Sequence, residues 1–231
     1  MKKIVLLFCP LLFMIFSAKS QVNDLGVFGG ISYYQGDVNP TKHFYNPKPA
    51  AGIIHRHTFN SRMALRNTLV RQVLAGQDAD FEDEYRQHRD HAFQTTLYAF
   101  ASQMELDYFP SWHEGQDYKK VTPYLAFGFG MVYSDDFSSG SVAVMFPAGF
   151  GVKAYPTERL TLNLEAQVRP VLSDGIDHLA NPYEDTQYMA SNQRQVTFMK
   201  NNDAYYSIGL MLTYKILNNR HRCPAYGNFY E

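Results

Sequence analysis

The sequence predicts an all-β fold, an eight-stranded antiparallel up-and-down transmembrane β-barrel. Three observations lead there. Apolar and polar residues alternate over long stretches: in "RLTLNLEAQVRPVL" (159–172), Leu160, Leu162, Leu164, Ala166, Val168 and Pro170 are interleaved with Thr161, Asn163, Glu165, Gln167 and Arg169. A period of two belongs to a strand with one oily face and one wet face. The stretches run to about 12–14 residues, beyond the globular mode of about 5–6 and enough to cross a bilayer at a tilt. The connections alternate long and short, as in a barrel with free loops at one end and tight turns at the other.

The first strand, 24–36, reads "DLGVFGGISYYQG" and is stopped by the turn-forming Gly36, Asp37, Asn39 and Pro40. The second, 48–60, and the third, 61–75, meet at a tight turn, Asn60–Ser61, and carry Arg56 and Arg66 on their polar faces. The fourth, 91–110, sets Gln103, Glu105 and Asp107 on one face. The fifth, 121–133, is "VTPYLAFGFGMVY". In the sixth, 142–155, Val142, Val144, Phe146, Ala148, Phe150 and Val152 share a face and Gly149, Gly151 and Lys153 the other. Pro147 in its middle predicts a bulge or weakened pairing. The seventh is the stretch at 159–172. In the eighth, 203–216, Tyr206 and Tyr214 bracket Ile208, Leu210 and Leu212 as interfacial anchors, with Tyr205, Ser207, Gly209, Met211, Thr213 and Lys215 on the inward face. Long connections fall at 37–47, 76–90, 134–141 and 173–202, short ones at 60–61 and 156–158, and one of middling length at 111–120.

The energetics of the two faces select the membrane. Turning Glu165 and Arg169 into an oily core would strip them of water without partners. Turning the leucines inward gives a soluble, lipocalin-like barrel, which strands of this length do not suit. The leucines therefore face lipid and the charges face the lumen. An eight-stranded lumen has room only for side chains. Arg56, Arg66, Glu105, Lys153, Glu165, Arg169 and Lys215, together with Gln103, Asp107 and Gln167, are expected to form a packed structural network. In it, Glu105 and Glu165 bridge to Arg56, Arg66 and Arg169. A filled lumen also argues against a transport pore.

The chain opens "MKKIVLLFCPLLFMIFSAKSQ", the layout of a secretory signal peptide over residues 1–20 with cleavage before Gln21. That leaves a barrel over 21–216 and a tail at 217–231. Removing residues 1–20 takes away Lys2, Lys3 and Lys19, so 18 basic residues face 22 acidic ones, a balance that excludes the basic face nucleic acid requires. Cys223 is then the sole cysteine, and no internal disulfide framework exists.

Three clusters invite chemistry. His55 and His57 share a strand face, a spacing that metal ligands use, but they stand near the turn at Asn60, where an interfacial ring is useful. "QDADFEDEYRQHRDH" (77–91) gathers carboxylates that suit Ca²⁺, without the loop glycine of an EF-hand. Ser173, Asp174, Asp177 and His178 lie together in the last long loop, where a barrel hydrolase or acyltransferase would hold its site, but no spacing activates a nucleophile. Solvated loops account for the last two clusters. No enzyme activity, cofactor, metal or small-molecule substrate is expected.

The residues also carry a resemblance. "GVFGGISYYQGDVNPTKHF" (26–44), "AGIIHRHTFNSRMALR" (51–66), "TPYLAFGFG" (122–130), "PAGFGVKAYPTERLTLNLE" (147–165), the segment around 200–216 and the closing Arg222-Cys223-Pro224 resemble PorG-like proteins. These are outer-membrane β-barrel components of the type IX secretion system of Bacteroidetes, small barrels of the OmpA/OmpX kind. The sequence departs from that pattern at His55 and His57, where the resemblance leads one to expect aromatics. It implies a non-enzymatic component of protein secretion, and in some relatives of gliding motility. It sits in the outer membrane of a Gram-negative bacterium with both termini periplasmic. It implies two kinds of partner, outer-membrane lipid and periplasmic ring proteins like PorK and PorN. Arg222, Cys223 and Pro224 in the tail are then candidate contacts for a periplasmic partner. The alternatives left standing are a small barrel acting through its extracellular loops, in adhesion or envelope integrity, and, behind it, the barrel enzyme.

Overall fold

The computed structural model of the 231-residue chain describes residues 22–36, 39, 42–80, 92–110, 120–134, 142–157, 159–172, 176 and 203–217. Nine strand segments build it: β1 (Val22–Gln35), β2 (Lys48–Thr58), β3 (Met63–Gln77), β4 (Ala92–Asp107), β5 (Val121–Tyr133), β6 (Val142–Met145), β7 (Ala148–Ala154), β8 (Leu160–Pro170) and β9 (Ala204–Leu217). Their order in the sheet is β4-β3-β2-β1-β9-β8-β7-β5, every pairing is antiparallel, and β4 pairs with β5 to close the ring. β6 pairs with β5 above β7. The two segments are one wall, so the ring has eight walls, as the alternation predicted.

Pro147 accounts for the break between β6 and β7. The partners of β5 stay in register across it, from Met145 opposite Gly130 to Ala148 opposite Phe127. The Gly128 N–H donates to the Pro147 carbonyl at 3.0 Å. The return bond is the one a proline nitrogen lacks. The strand therefore loses a rung without shifting register, and no bulge forms.

The ring is sealed by a long seam between chain ends, where β1 runs beside β9 from Asn23 opposite Leu217 to Gln35 opposite Ala204. The end of the barrel that holds Asn23 and Leu217 is called lower here. β2, β4, β7 and β9 finish there and β1, β3, β5 and β8 begin there; the opposite strand ends make the upper end.

Two core clusters fill the lumen with apolar side chains. Phe28, Ala50, Ile54, Val70 and Met211 pack at mid-height. Above them Tyr34, Leu74, Phe93, Leu97, Val132, Met145, Val171 and Tyr205 close the upper end, with Ile176 of the last long connection driven in among them. The sequence reading expected polar groups to fill the lumen. The structure gathers the ion-pair network in the lower half and sets Arg169 and Asp203 against the aromatic and aliphatic groups above it.

Candidate functional site

The chemistry of the molecule lies in two surfaces, the inner wall of the lower barrel and the outer wall. β2 and β3 cross with Arg56 directly opposite Arg66, and Arg66 faces Gln103 across the next ladder. Period-two geometry sends all three inward. Glu105 arrives on β4, Lys153 on β7, and Glu165 on β8.

Arg66 is the hub and is fully buried. Its guanidinium grips Glu165 with two parallel bonds, at 2.7 Å to Oε2 and 2.9 Å to Oε1, the fork geometry that makes arginine–carboxylate pairs strong. It also lies 2.9 Å from Glu105 Oε1 and donates to Gln103 at 2.9 Å. Glu105 faces Arg56 at 2.9 Å and Lys153 at 2.7 Å. Lys153 in turn reaches Asp107 at 2.5 Å, and Arg56 lies 3.6 Å from Asp24. Each carboxylate of this lower network thus faces a cation, the condition for holding charges in a dry interior. Groups matched in this way neutralise one another. No acid or base among them stands free to act on a substrate.

Arg169 behaves differently from the expectation that Glu105 or Glu165 would bridge to it. Its Nε donates to Gln167 at 2.7 Å, and its guanidinium sits 5.7 Å from the Tyr205 ring. Arg169 stands further up β8, level with the aromatic tier, so it reaches Glu165 only through Gln167, whose amide donates to Glu165. Lys215 stands at the lower rim, half-buried, with Nζ 5.8 Å from the ring of Tyr155. Four members of the network lay outside the set expected from the sequence: Asp24, Tyr124, Asn163 and Thr213. The Tyr124 hydroxyl donates to Glu165, and Thr213 accepts from Arg56 at 3.0 Å. Their inward parity on strands was the available signal.

The outer wall is the reverse. Leu125, Phe127 and Phe129 of β5, Phe150 of β7, Leu164 of β8 and Leu210 of β9 are each exposed by half or more. Tyr98 and Tyr133 pair near the upper edge and Tyr108 and Tyr214 mark the lower. His57 is covered by Phe59 in an edge-to-face contact and its Nδ1 lies 2.8 Å from Asn23. Among the described residues no three His, Cys, Asp or Glu gather as a metal site would need. Ser173, Asp174, Asp177 and His178, most of the acidic loop, and Arg222, Cys223 and Pro224 lie outside the described residues.

At the upper mouth, Asp203 accepts the Tyr34 hydroxyl at 2.6 Å and the Ile176 N–H at 2.8 Å, and Thr95 donates to the Ile176 carbonyl at 3.1 Å. These bonds hold Ile176 in the apolar tier. In the first upper connection Tyr45 donates to Asp80 at 2.5 Å. Burial and then that carboxylate push its hydroxyl up to about 12.

Comparison with known proteins gives a family and a set of folds. The model described as "Domain of unknown function (DUF6089)" matches residues 2–225. No curated protein matches in sequence. Among solved structures, the chain is similar to the Neisserial surface protein A, NspA, at 10% identity, over 86% of this chain and 98% of that one, with a TM-score of 0.48. It is similar to Ail, the attachment invasion locus protein of Yersinia pestis, at 9% identity over 84% and 99%, with a TM-score of 0.41. The outer-membrane protein AlkL gives 13% identity over 87% and 94%, with a TM-score of 0.39.

Proposed function

The chain belongs to the DUF6089 family, and from that premise we propose that it is an outer-membrane barrel serving as a structural subunit of a protein secretion machine. One observation carries the membrane part. Large apolar side chains on the outer wall are exposed on all eight walls of the ring, including Val27, Ile53, Leu69, Phe100, Phe129, Val144, Leu162 and Leu212. A soluble monomer rarely exposes a contiguous apolar patch above a few hundred Å². At about 25 cal/mol per Å² a continuous belt is strongly unfavourable in water and favourable against acyl chains. Closure supplies the second requirement of a membrane, since a ring has no unpaired edge.

The structural role follows from the lumen. Ion pairs fill its lower half and packed aromatics and aliphatics its upper half, which opposes passage of solutes. The work is then left to the ends. The resemblance to PorG-like proteins supports a role in type IX secretion. In that role the lower end, where β1 begins and β9 finishes, faces the periplasm and meets ring proteins like PorK and PorN. The 217–231 tail, with Arg222, Cys223 and Pro224, is the contact.

Two measurements test this. Membrane fractions should hold the protein as a heat-modifiable band, and purified intact protein should capture the ring proteins. Capture should fall when 217–231 is deleted. Capture unaffected by the deletion removes the tail from the reading, and absence of capture by the intact protein points to a role through the upper loops.

A further inference from the structure

The outer wall is not uniform around the ring. On β5, β6, β7, β8 and β9 every outward residue is apolar or aromatic, and β1 is so from Leu25 to Tyr33. β2, β3 and β4 carry outward polar residues near their ends at His57, Arg71, Gln77, Gln94 and Thr96, and between these at His55, Asn67 and Ser102. The last three are register neighbours: His55 pairs with Asn67, and Asn67 with Ser102. They form a continuous oblique stripe across three adjacent walls. Each is half-exposed, and none of the three side chains makes a hydrogen bond among the described residues. His57, two residues below, has Asn23.

The stripe climbs from His55, three residues from the lower end of β2, to Ser102 at the middle of the belt on β4. Tyr98 is four residues above Ser102 on β4, and Leu106 four below. Ile53, Leu69 and Phe100 flank it on the upper side as exposed apolar residues. In water such a trio would be ordinary. In hydrocarbon an imidazole, an amide and a hydroxyl without partners are each unfavourable, and polar groups at that depth gather against protein.

We propose that the β2–β4 wall is the contact face between two copies of this chain, with Asn67 hydrogen-bonding to Asn67 of the other copy on a two-fold axis normal to the membrane and His55 and Ser102 flanking that contact. The inference rests on the membrane reading above. A second copy is the occupant the geometry favours. Two copies with the same orientation in one bilayer bring their stripes to the same depth. An amide is both donor and acceptor, so Asn67 on the axis is complementary to its own image, and the imidazole and hydroxyl beside it can each give or take a hydrogen bond. No formal charge other than the titratable His55 lies in it: Arg71 is level with Tyr98, at the upper edge, where its guanidinium meets headgroups.

The test uses the full chain with Cys9→Ser and Cys223→Ser. Asn67→Cys in this background, in phospholipid vesicles, should form a disulfide-linked dimer on oxidation. Leu164→Cys, on the diametrically opposite β8 wall, should not. A triple variant, His55→Leu, Asn67→Leu and Ser102→Ala, should keep the heat-modifiable band while its dimer fraction in lipid falls about tenfold. Equal crosslinking from positions 67 and 164, or an undiminished dimer in the triple variant, overturns the proposal. So does an Asn67→Cys adduct in native membranes to a different protein in place of the dimer. Vesicle association of the unsubstituted chain is read first, and its failure overturns the membrane reading itself.

Discussion

Replacing Arg66 by methionine perturbs the lumen at its hub. Methionine keeps much of the side-chain volume and removes the charge. Glu105 retains Arg56 at 2.9 Å and Lys153 at 2.7 Å. Glu165 loses both bonds of its fork, and no other cation pairs with it among the described residues. Leaving one partner of a buried pair uncompensated costs about 3–5 kcal/mol. The Tyr124 hydroxyl and the Gln167 amide still donate to Glu165, which places the expectation near about 3 kcal/mol. With a urea slope of about 2 kcal/mol per molar, the unfolding midpoint should fall by about 1.5 M. Adding Glu165→Gln removes the orphaned charge. The double variant should then lose less than the sum of the two singles, with a coupling of about 2 kcal/mol. The assay is urea unfolding of the barrel refolded in detergent micelles, followed by far-UV dichroism and the heat-dependent gel shift. A midpoint shift under about 0.5 M for Arg66→Met, or strict additivity of the pair, would refute the network as an energetic unit.

Other perturbations probe separate parts. Gly151→Ala places a methyl 2.7 Å from the Tyr124 ring and 2.6 Å from the Leu164 carbonyl; overpacking of that kind should cost about 1–3 kcal/mol in the same urea assay. Pro147→Ala restores an N–H opposite Gly128, so the amide at 147 should become protected in hydrogen exchange, while global stability changes by less than about 1 kcal/mol because proline's chain restriction is lost. Asp203→Asn replaces an acceptor of the Tyr34 or Ile176 bond by a donor and should cost about 1–2 kcal/mol. That loss should add to the Arg66→Met loss, the two sites lying at opposite ends. Tyr45 has a hydroxyl held up to about 12 from an ordinary 10.0, so its tie to Asp80 contributes fully below about pH 10 and is lost as pH rises through 12. The ultraviolet titration of Tyr45→Phe, subtracted from that of the parent, should show one phenol ionising near that upper value.

Much of the barrel was legible because period two is a local signal. The alternation at 159–172 fixed which residues of β8 look inward, and it needed no knowledge of neighbours. Register and tier are different quantities. Nothing local says that Arg66 meets Glu165 across the lumen from the opposite wall, or that Arg169, on the same strand face as Glu165, rises past the acids to meet Tyr205. Asp24 and Tyr124 were passed over because each is a single polar group in a glycine- and aromatic-rich strand. Pro147 announced an interruption, but whether the strand bulges or merely drops a rung depends on the partners on both sides.

The seam between β1 and β9 joins residues about as far apart in the chain as the barrel allows. No partial product of synthesis can close the ring, since the last strand must arrive before the first finds its second neighbour. Until then two open edges are on offer to any other extended chain. Loop closure of that span is slow. A molecule so arranged carries its own check on completeness: a copy truncated before residue 204 stays an unzipped sheet, fit for disposal and not for service.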